Sequence, residues 1–382
     1  MKLIRTYDEI NKRIENGEAV VVTAEEIIGM VEEDGQERTA NYVDVVTTGT
    51  FSPMCSSGVF INFGHAEPPI RMQKITMNDV PAHGGLAAVD TYLGATNVAK
   101  EDPKYGGAHV IEDLLRGKEV NVTATSVGTD CYPRKEINTW VRLDDLNNAI
   151  MYNPRNCYQN YNVAVNTSQT SIKTYMGTLL PNLGSAHFST SGQLSPLLND
   201  PELATIGIGT RIMLCGAQGY VSWNGTQHHP SVQMVNGHKM YSGGTISVIG
   251  DLKQMSHNYL RAAYLPGYGV SIFIGIGIPI PIMSTDVLKG VCVKDEELYT
   301  KVVDYSSHKV NKPVLGYVNY KDLRDGKIKV DGRDIPSSSI SSYAKAREIC
   351  NELKVRIGRG EFNLQAPIEQ LPKETMFNNL KV

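Results

Sequence analysis

Two cysteines stand where reactants can reach them. Cys55 directly precedes Ser56, Ser57 and Gly58, after the apolar run Val43–Val46 and the polar break Thr47–Thr50. A cysteine on a Gly/Ser turn after a strand is exposed, and backbone N–H groups there stabilise its thiolate, the nucleophilic form. Cys131 has the same setting. Gly128, Thr129 and Asp130 form the turn before it, and Arg134 and Lys135 follow. Such residues suit a nucleophilic sulfur or one that is handed on.

The remaining cysteines read differently. Cys215 in IMLCG, Cys292 in GVCV and Cys350 on an apolar helix face are expected in the core, because a free cysteine packs as a small hydrophobe. Cys157, between Asn156 and Tyr158, reads either way. Six cysteines without a CxxC argue against a disulfide framework, a zinc ribbon or a bound iron–sulfur cluster, so a reduced, cytoplasmic protein is expected. The loop histidines show no HxH or HxxxH spacing, so no metal is expected. His65 and His228 are the preferred general acids or bases, against the ordinary fate of a loop histidine bonded to backbone.

Other chemistries lose support. Gly207-Ile208-Gly209 lacks the third glycine of a dinucleotide fingerprint, and there is neither a P-loop lysine nor a GxSxG elbow. The net charge is -3 and no basic run stands out, so no nucleic-acid partner is expected. The start, MKLIRTYDEINKR, has no apolar leader core. The apolar run Tyr268–Met283 is broken by Gly269, Gly275, Gly277, Pro279 and Pro281, which excludes a membrane helix. A homo-oligomer stays open.

The elements that must position these residues follow from pattern. Thr6 with Glu9 and Thr23 with Glu26 form capping boxes for two helices, with strands at Ala19–Val22 and Val43–Val46. This order favours an α/β fold with a mixed, substantially parallel sheet and Gly-rich loops. Met255–Tyr264 reads as helix, and Gly269–Pro281 as buried strand. Tyr343–Ile357 is an amphipathic helix with Ala346, Ile349, Cys350, Leu353 and Ile357 on one face. The 35 glycines lie within apolar segments, which predicts close backbone approach, and 19 tyrosines stand against 7 phenylalanines. A single catalytic unit over 1–382 is expected, with a peripheral hairpin at 310–335 and a surface tail at 361–382.

Several stretches together resemble one family: TTGTFSPMCSSG, TSVGTDCYPRKE, STSGQLSPLLNDP, TIGIGTRI, GTQHHP, VIGDLKQM, GYGVSIFIGIGIPIP and SSYAKAREI. They are similar to the homocysteine biosynthesis family of methanogens and other anaerobes, whose studied members are L-aspartate semialdehyde sulfurtransferases. The resemblance runs from about Thr6 to about Leu371. It implies reductive insertion of sulfur from sulfide or another donor into L-aspartate semialdehyde. It implies Cys55 and Cys131 as the active cysteines, one carrying sulfur as a persulfide or adding to the aldehyde as a thiohemiacetal, the other resolving a disulfide. No intrinsic cofactor is expected; electrons would come from a small ferredoxin-like iron–sulfur protein. Longer members carry C-terminal CBS modules, and regulation of that kind is expected to be absent here or supplied elsewhere. Arg134 is the expected carboxylate clamp, with Arg71 and Arg155 behind it, and Ser56, Ser57, Thr129, His65 and His228 would complete the substrate site. Two other readings stand beside this one. The Glu9–Val22 opening is faintly similar to CoA-transferase-like folds, which would make the chain an acyl or CoA binder. Alternatively the chain is a sulfur-carrying scaffold without its own turnover.

Overall fold

A computed structural model describes residues 5–376, 378, 380 and 381. Both capping boxes form. Glu9 N–H donates to Thr6 Oγ1 while Thr6 N–H donates to Glu9, and Thr23 and Glu26 exchange the same two bonds. These boxes open the helices Tyr7–Glu15 and Glu26–Asp34.

The main sheet has ten strands. Its path runs Val21–Thr23, Val45–Pro53, Gly269–Pro281, Arg211–Leu214, Ala217–Asn224, Ile246–Asp251, Asn148–Asn156, Gly58–Asn62 and Asp90–Gly94, with Leu260–Leu265 also paired to Gly269–Pro281. The strands Val45–Pro53 and Gly58–Asn62 stand six places apart on that path, about 29 Å across a flat sheet. The chain from Pro53 to Gly58 spans at most about 18 Å. The sheet therefore curls back on itself, and the four-residue connection that closes the curl carries Cys55.

The α/β class and the mixed sheets are as expected, but the parallel share is small. Among the described residues it is confined to Val21–Thr23 with Val45–Pro53, Val163–Val165 with Tyr299–Asp304, and Ala186–Phe188 with Arg333–Ser339. Tight turns explain this, because strands joined by two or three residues can pair only antiparallel. Cys215 and Gly216 both take positive φ between Arg211–Leu214 and Ala217–Asn224, as a primed hairpin turn requires. The segment read as helix at Met255–Tyr264 is instead a short 3₁₀ turn, His257–Tyr259, then the strand Leu260–Leu265. The turn Pro266-Gly267-Tyr268 folds that strand back onto Gly269–Pro281, and this long-range pairing overrides the local pattern.

Gly269–Pro281 is the axis of the core. Ile272, Ile274, Ile276, Ile278 and Ile280 alternate along it and are fully buried, each contributing about 1.5–3 kcal/mol relative to exposure. Gly275 and Gly277 keep its other face flat, where the helix Tyr343–Gly358 lies. A Cβ on Gly277 would sit 2.9 Å from Ile349 Cγ2. The buried face of that helix is Ala346, Ile349, Cys350, Leu353 and Ile357, as predicted.

A second, six-stranded sheet runs Val314–Asn319, Tyr299–Asp304, Val163–Val165, Ala186–Phe188, Arg333–Ser339, Lys327–Val330. The span 310–335 is thus no separate hairpin. Its first strand pairs with Tyr299–Asp304, and Asp325-Gly326 ends the helix Tyr320–Arg324 instead of turning two strands. The last strand of the span, Lys327–Val330, hairpins with Arg333–Ser339. Tyr320 and Leu323 are buried in this layer's core. Residues 361–376 run along the surface but anchor Phe362, Leu364 and Leu371 inside. Among the described residues no helix is long and apolar enough to cross a membrane.

Candidate active site

The four residues that close the curled sheet are tightly held. Met54 N–H donates to Ile272 O at 2.7 Å, and Ser57 donates to Met54 O through both its N–H and its hydroxyl. Ser56 Oγ donates to Asn153 Oδ1 and to Arg155 O, while Asn153 Nδ2 donates to Ser57 Oγ at 2.6 Å. These bonds stitch the turn to the end of the Asn148–Asn156 strand. Cys55, half-buried between them, faces a cavity of about 320 Å³ between the two sheets.

Three kinds of wall line that cavity. Hydroxyls come from Thr50, Ser52, Ser189, Thr190 and Ser195, and Ser52 Oγ lies 2.6 Å from Ser341 Oγ. Tyr158, Tyr161, Tyr175 and Tyr268 form an aromatic wall. Tyr161 and Tyr175 share a 2.7 Å hydroxyl contact, and Tyr175 passes it on to Tyr305 at 2.9 Å. The third wall holds Arg155 and Gln227, whose side chains are hydrogen-bonded to each other. Among the described lining residues only Arg155 carries a fixed charge.

Cys55 Sγ is 3.1 Å from the buried Ser271 Oγ, and Tyr268 lines the same cavity. Burial, then the nearby Cys55 sulfur, push the Tyr268 hydroxyl up to about 12, so it remains a proton donor at neutral pH. Burial raises Tyr158, Tyr161 and Tyr305 as well, so this side of the cavity is lined by neutral O–H groups. The buried Cys157 also reaches the cavity, and desolvation drives its thiol far up, which makes it a poor nucleophile. Burial likewise pushes Cys215 and Cys292 up to about 12 and raises Cys350, as suits packed, inert thiols.

The residues singled out from sequence fall into separate groups. Cys55 and Ser56 line the cavity, and Ser57 lies buried just behind. Cys131 is exposed on the loop joining Val120–Thr125 to Glu136–Val141, strands of a separate four-stranded sheet, and is not among the lining residues. Thr129 and Tyr132 close that loop by exchanging backbone bonds, and Tyr132 stacks on His65 at 6.1 Å. Arg134 donates to Pro68 O and Glu67 O at 2.9 and 2.5 Å, which anchors the loop. His65, Thr129, Cys131 and Arg134 therefore form one surface cluster outside the cavity. His228 is buried. Its Nε2 donates to Pro372 O at 2.8 Å, its Nδ1 lies 2.7 Å from Thr245 O and 2.9 Å from Thr245 N, and the ring ties down the 361–376 segment. Tyr268, Tyr158, Tyr161, Tyr175, Ser271 and Gln227 were missed from sequence. The excess of tyrosine over phenylalanine was a visible signal for the four tyrosines, and Tyr268, Ser271 and Gln227 lie within the stretches that carry the family resemblance. Among the described residues no group of three or more metal-ligating side chains could hold an ion.

Residues 19–364 match the model of a family described as "Homocysteine biosynthesis enzyme, sulfur-incorporation". A protein of Methanosarcina acetivorans named L-aspartate semialdehyde sulfurtransferase is 52% identical over 99% of this chain and 74% of its own length. A protein of the same name from Methanocaldococcus jannaschii is 51% identical over 97% of this chain and 74% of its own. An uncharacterised protein of Methanothermobacter thermautotrophicus is 32% identical over 86% and 73% respectively. No solved structure matches the chain. The chain belongs to the sulfur-incorporating homocysteine biosynthesis enzymes.

Proposed function

We propose that this chain is an L-aspartate semialdehyde sulfurtransferase that makes L-homocysteine. The net change replaces the aldehyde C=O by one C–S and one C–H bond. Sulfide supplies the sulfur, two electrons and two protons enter, and the oxygen leaves as water. The observation that carries this reading is Cys55, held on a rigid turn in a cavity, in contact with Ser271 and with Tyr268 on the same cavity wall.

Cys55 carries sulfur as a persulfide, formed when hydrosulfide opens a Cys55–Cys131 disulfide and Cys131 leaves as thiolate, or it adds to the aldehyde carbon as a thiohemiacetal whose hydroxyl is replaced by hydrosulfide and leaves as water. Tyr268, protonated at working pH, donates toward the sulfur and the developing oxyanion. Cys131 thiolate then attacks the Cys55 sulfur and forms the disulfide. From the carbon adduct, the Cys55 S–C bond breaks and the carbon keeps the pair and takes a proton. From the persulfide adduct, the S–S bond breaks and the released thiohemiacetal loses water and takes up two electrons. Either route requires the exposed Cys131 loop to reach the cavity mouth. A small ferredoxin-like iron–sulfur protein supplies the electrons, and an exposed thiol is a suitable contact point for it.

The test is anaerobic homocysteine formation from L-aspartate semialdehyde and sulfide, with a strong reductant in place of the partner. Cys55→Ser is expected to abolish product, and Cys131→Ser to stop multiple turnover. Full activity in Cys55→Ser would refute the reading.

A further inference from the structure

We infer that Arg155 is the substrate's carboxylate anchor, and that the cavity selects its aldehyde by the carboxylate rather than by the amino group. This rests on the sulfur-transfer reading and adds how the substrate is recognised.

Three observations carry it. First, Arg155 and Cys55 share one cavity, and Ser56, the neighbour of Cys55, donates its hydroxyl to Arg155 O at 3.3 Å. The Arg155 backbone N–H is fixed in turn by Asn153 Oδ1 at 2.7 Å. The Arg155 backbone is therefore fixed by the same hydrogen-bonded turn that presents the sulfur, and its guanidinium lines the same cavity. Second, no carboxylate pairs with Arg155 among the described residues, and its side chain bonds only the neutral Gln227 carboxamide. An unpaired, half-buried guanidinium offers a planar fork that matches a carboxylate with two parallel bonds. Arg134, the other candidate, is already turned onto the carbonyls of Glu67 and Pro68.

Third, the lining holds no aspartate or glutamate among the described residues. An ammonium group would meet hydroxyls such as Thr50 and Ser52, which are already bonded to each other at 3.1 Å. Neutral hydroxyls favour an ammonium far less than an arginine fork favours a carboxylate. The site should thus accept 4-oxobutanoate, the substrate without its amino group, and reject 3-aminopropanal, the substrate without its carboxylate.

The deciding experiment needs no turnover. Anionic iodoacetate and neutral iodoacetamide are reacted with the intact protein, and alkylation of the Cys55 peptide is followed by mass spectrometry. Cys131, on the surface, serves as internal reference. Arg155→Met is expected to lower the iodoacetate-to-iodoacetamide rate ratio at Cys55 by about 10-fold or more, the usual worth of a charge-assisted hydrogen bond. Its iodoacetamide rate should stay close to that of the wild type, Arg155→Lys should keep most of the ratio, and Arg134→Met should leave it unchanged. An unchanged ratio in Arg155→Met would overturn the proposal. So would an equal slowing with both reagents, because the guanidinium would then shape the cavity instead of attracting charge.

With turnover, Arg155→Met should raise KM for L-aspartate semialdehyde by about 10- to 100-fold with a smaller change in kcat. A shifted ratio without homocysteine formation would leave the anchor standing and remove the sulfur-transfer reading. Homocysteine formation with an unshifted ratio would do the reverse.

Discussion

Gly49 tests how the strand leading to Cys55 is held against its helix. A Cβ built on Gly49 would lie 2.6 Å from Ala346 O, 3.0 Å from Cys350 Sγ and 3.2 Å from Ile349 Cγ2. The first contact is with backbone inside the helix Tyr343–Gly358, so no side-chain rotation relieves it. Reaching ordinary contact requires strand and helix to part by several tenths of an ångström. Overpacking of this kind destabilises by about 1–3 kcal/mol, and the reduced freedom of an unfolded alanine offsets about 0.5–1 of that. Gly49→Ala should therefore lose about 1–2 kcal/mol. Gly29, in the helix Glu26–Asp34, is the control, because nothing lies within 4 Å of its Cβ position. Gly29→Ala should gain about 0.5–1 kcal/mol from helix propensity. Urea unfolding followed by far-UV circular dichroism reads both, and the midpoints should move in opposite directions. A Gly49→Ala protein as stable as wild type, beside a stabilised Gly29→Ala, would refute the packing of this helix on the strand.

Tyr268→Phe removes one hydroxyl donor from the cavity that holds Cys55 while keeping the ring, and should lower homocysteine formation about 10-fold with thermal stability unchanged, as read by kcat and Tm side by side. Timed thiol alkylation with peptide mapping should modify Cys131 first, Cys55 more slowly, and the buried Cys157, Cys215 and Cys350 only on unfolding. Stability should fall at alkaline pH. Burial holds the Cys215 thiol up to about 12 in the fold, against an ordinary 9.0, so between these values the folded chain binds more protons than the unfolded one. The contribution is complete below pH 9 and is lost as pH rises, by at most about 1.4 kcal/mol per pH unit for this thiol. Urea midpoints measured from pH 7 to 11 should be flat at first and then decline.

What could be read in the sequence was what local chemistry dictates. Thr6 with Glu9 and Thr23 with Glu26 announce helix starts because a capping box needs only four residues. The apolar face of Tyr343–Gly358 and the buried Gly269–Pro281 strand were visible from periodicity and from the glycines and prolines. Pairing direction was not, because it depends on which distant strands meet. Leu260–Leu265 looked helical until its partner across the Tyr268 turn was known. The same distinction holds at the site. Cys55 could be found from its turn, but Tyr268, Ser271 and Arg155 reach it only because the sheet curls. Arg134 looked the better clamp in the sequence because it follows Cys131 closely, and the fold directs it to Glu67 and Pro68 instead.

The most direct test of the account is to follow the Cys55 sulfur through one turnover. The protein is incubated anaerobically with isotopically labelled sulfide, L-aspartate semialdehyde is added, and the reaction is quenched at intervals for peptide mass spectrometry. The account predicts that the Cys55 peptide gains one labelled sulfur atom or the mass of the aldehyde, and that this gain decays as labelled homocysteine appears. Labelled homocysteine formed while the Cys55 peptide stays unmodified throughout, and formed equally by Cys55→Ser, would contradict it.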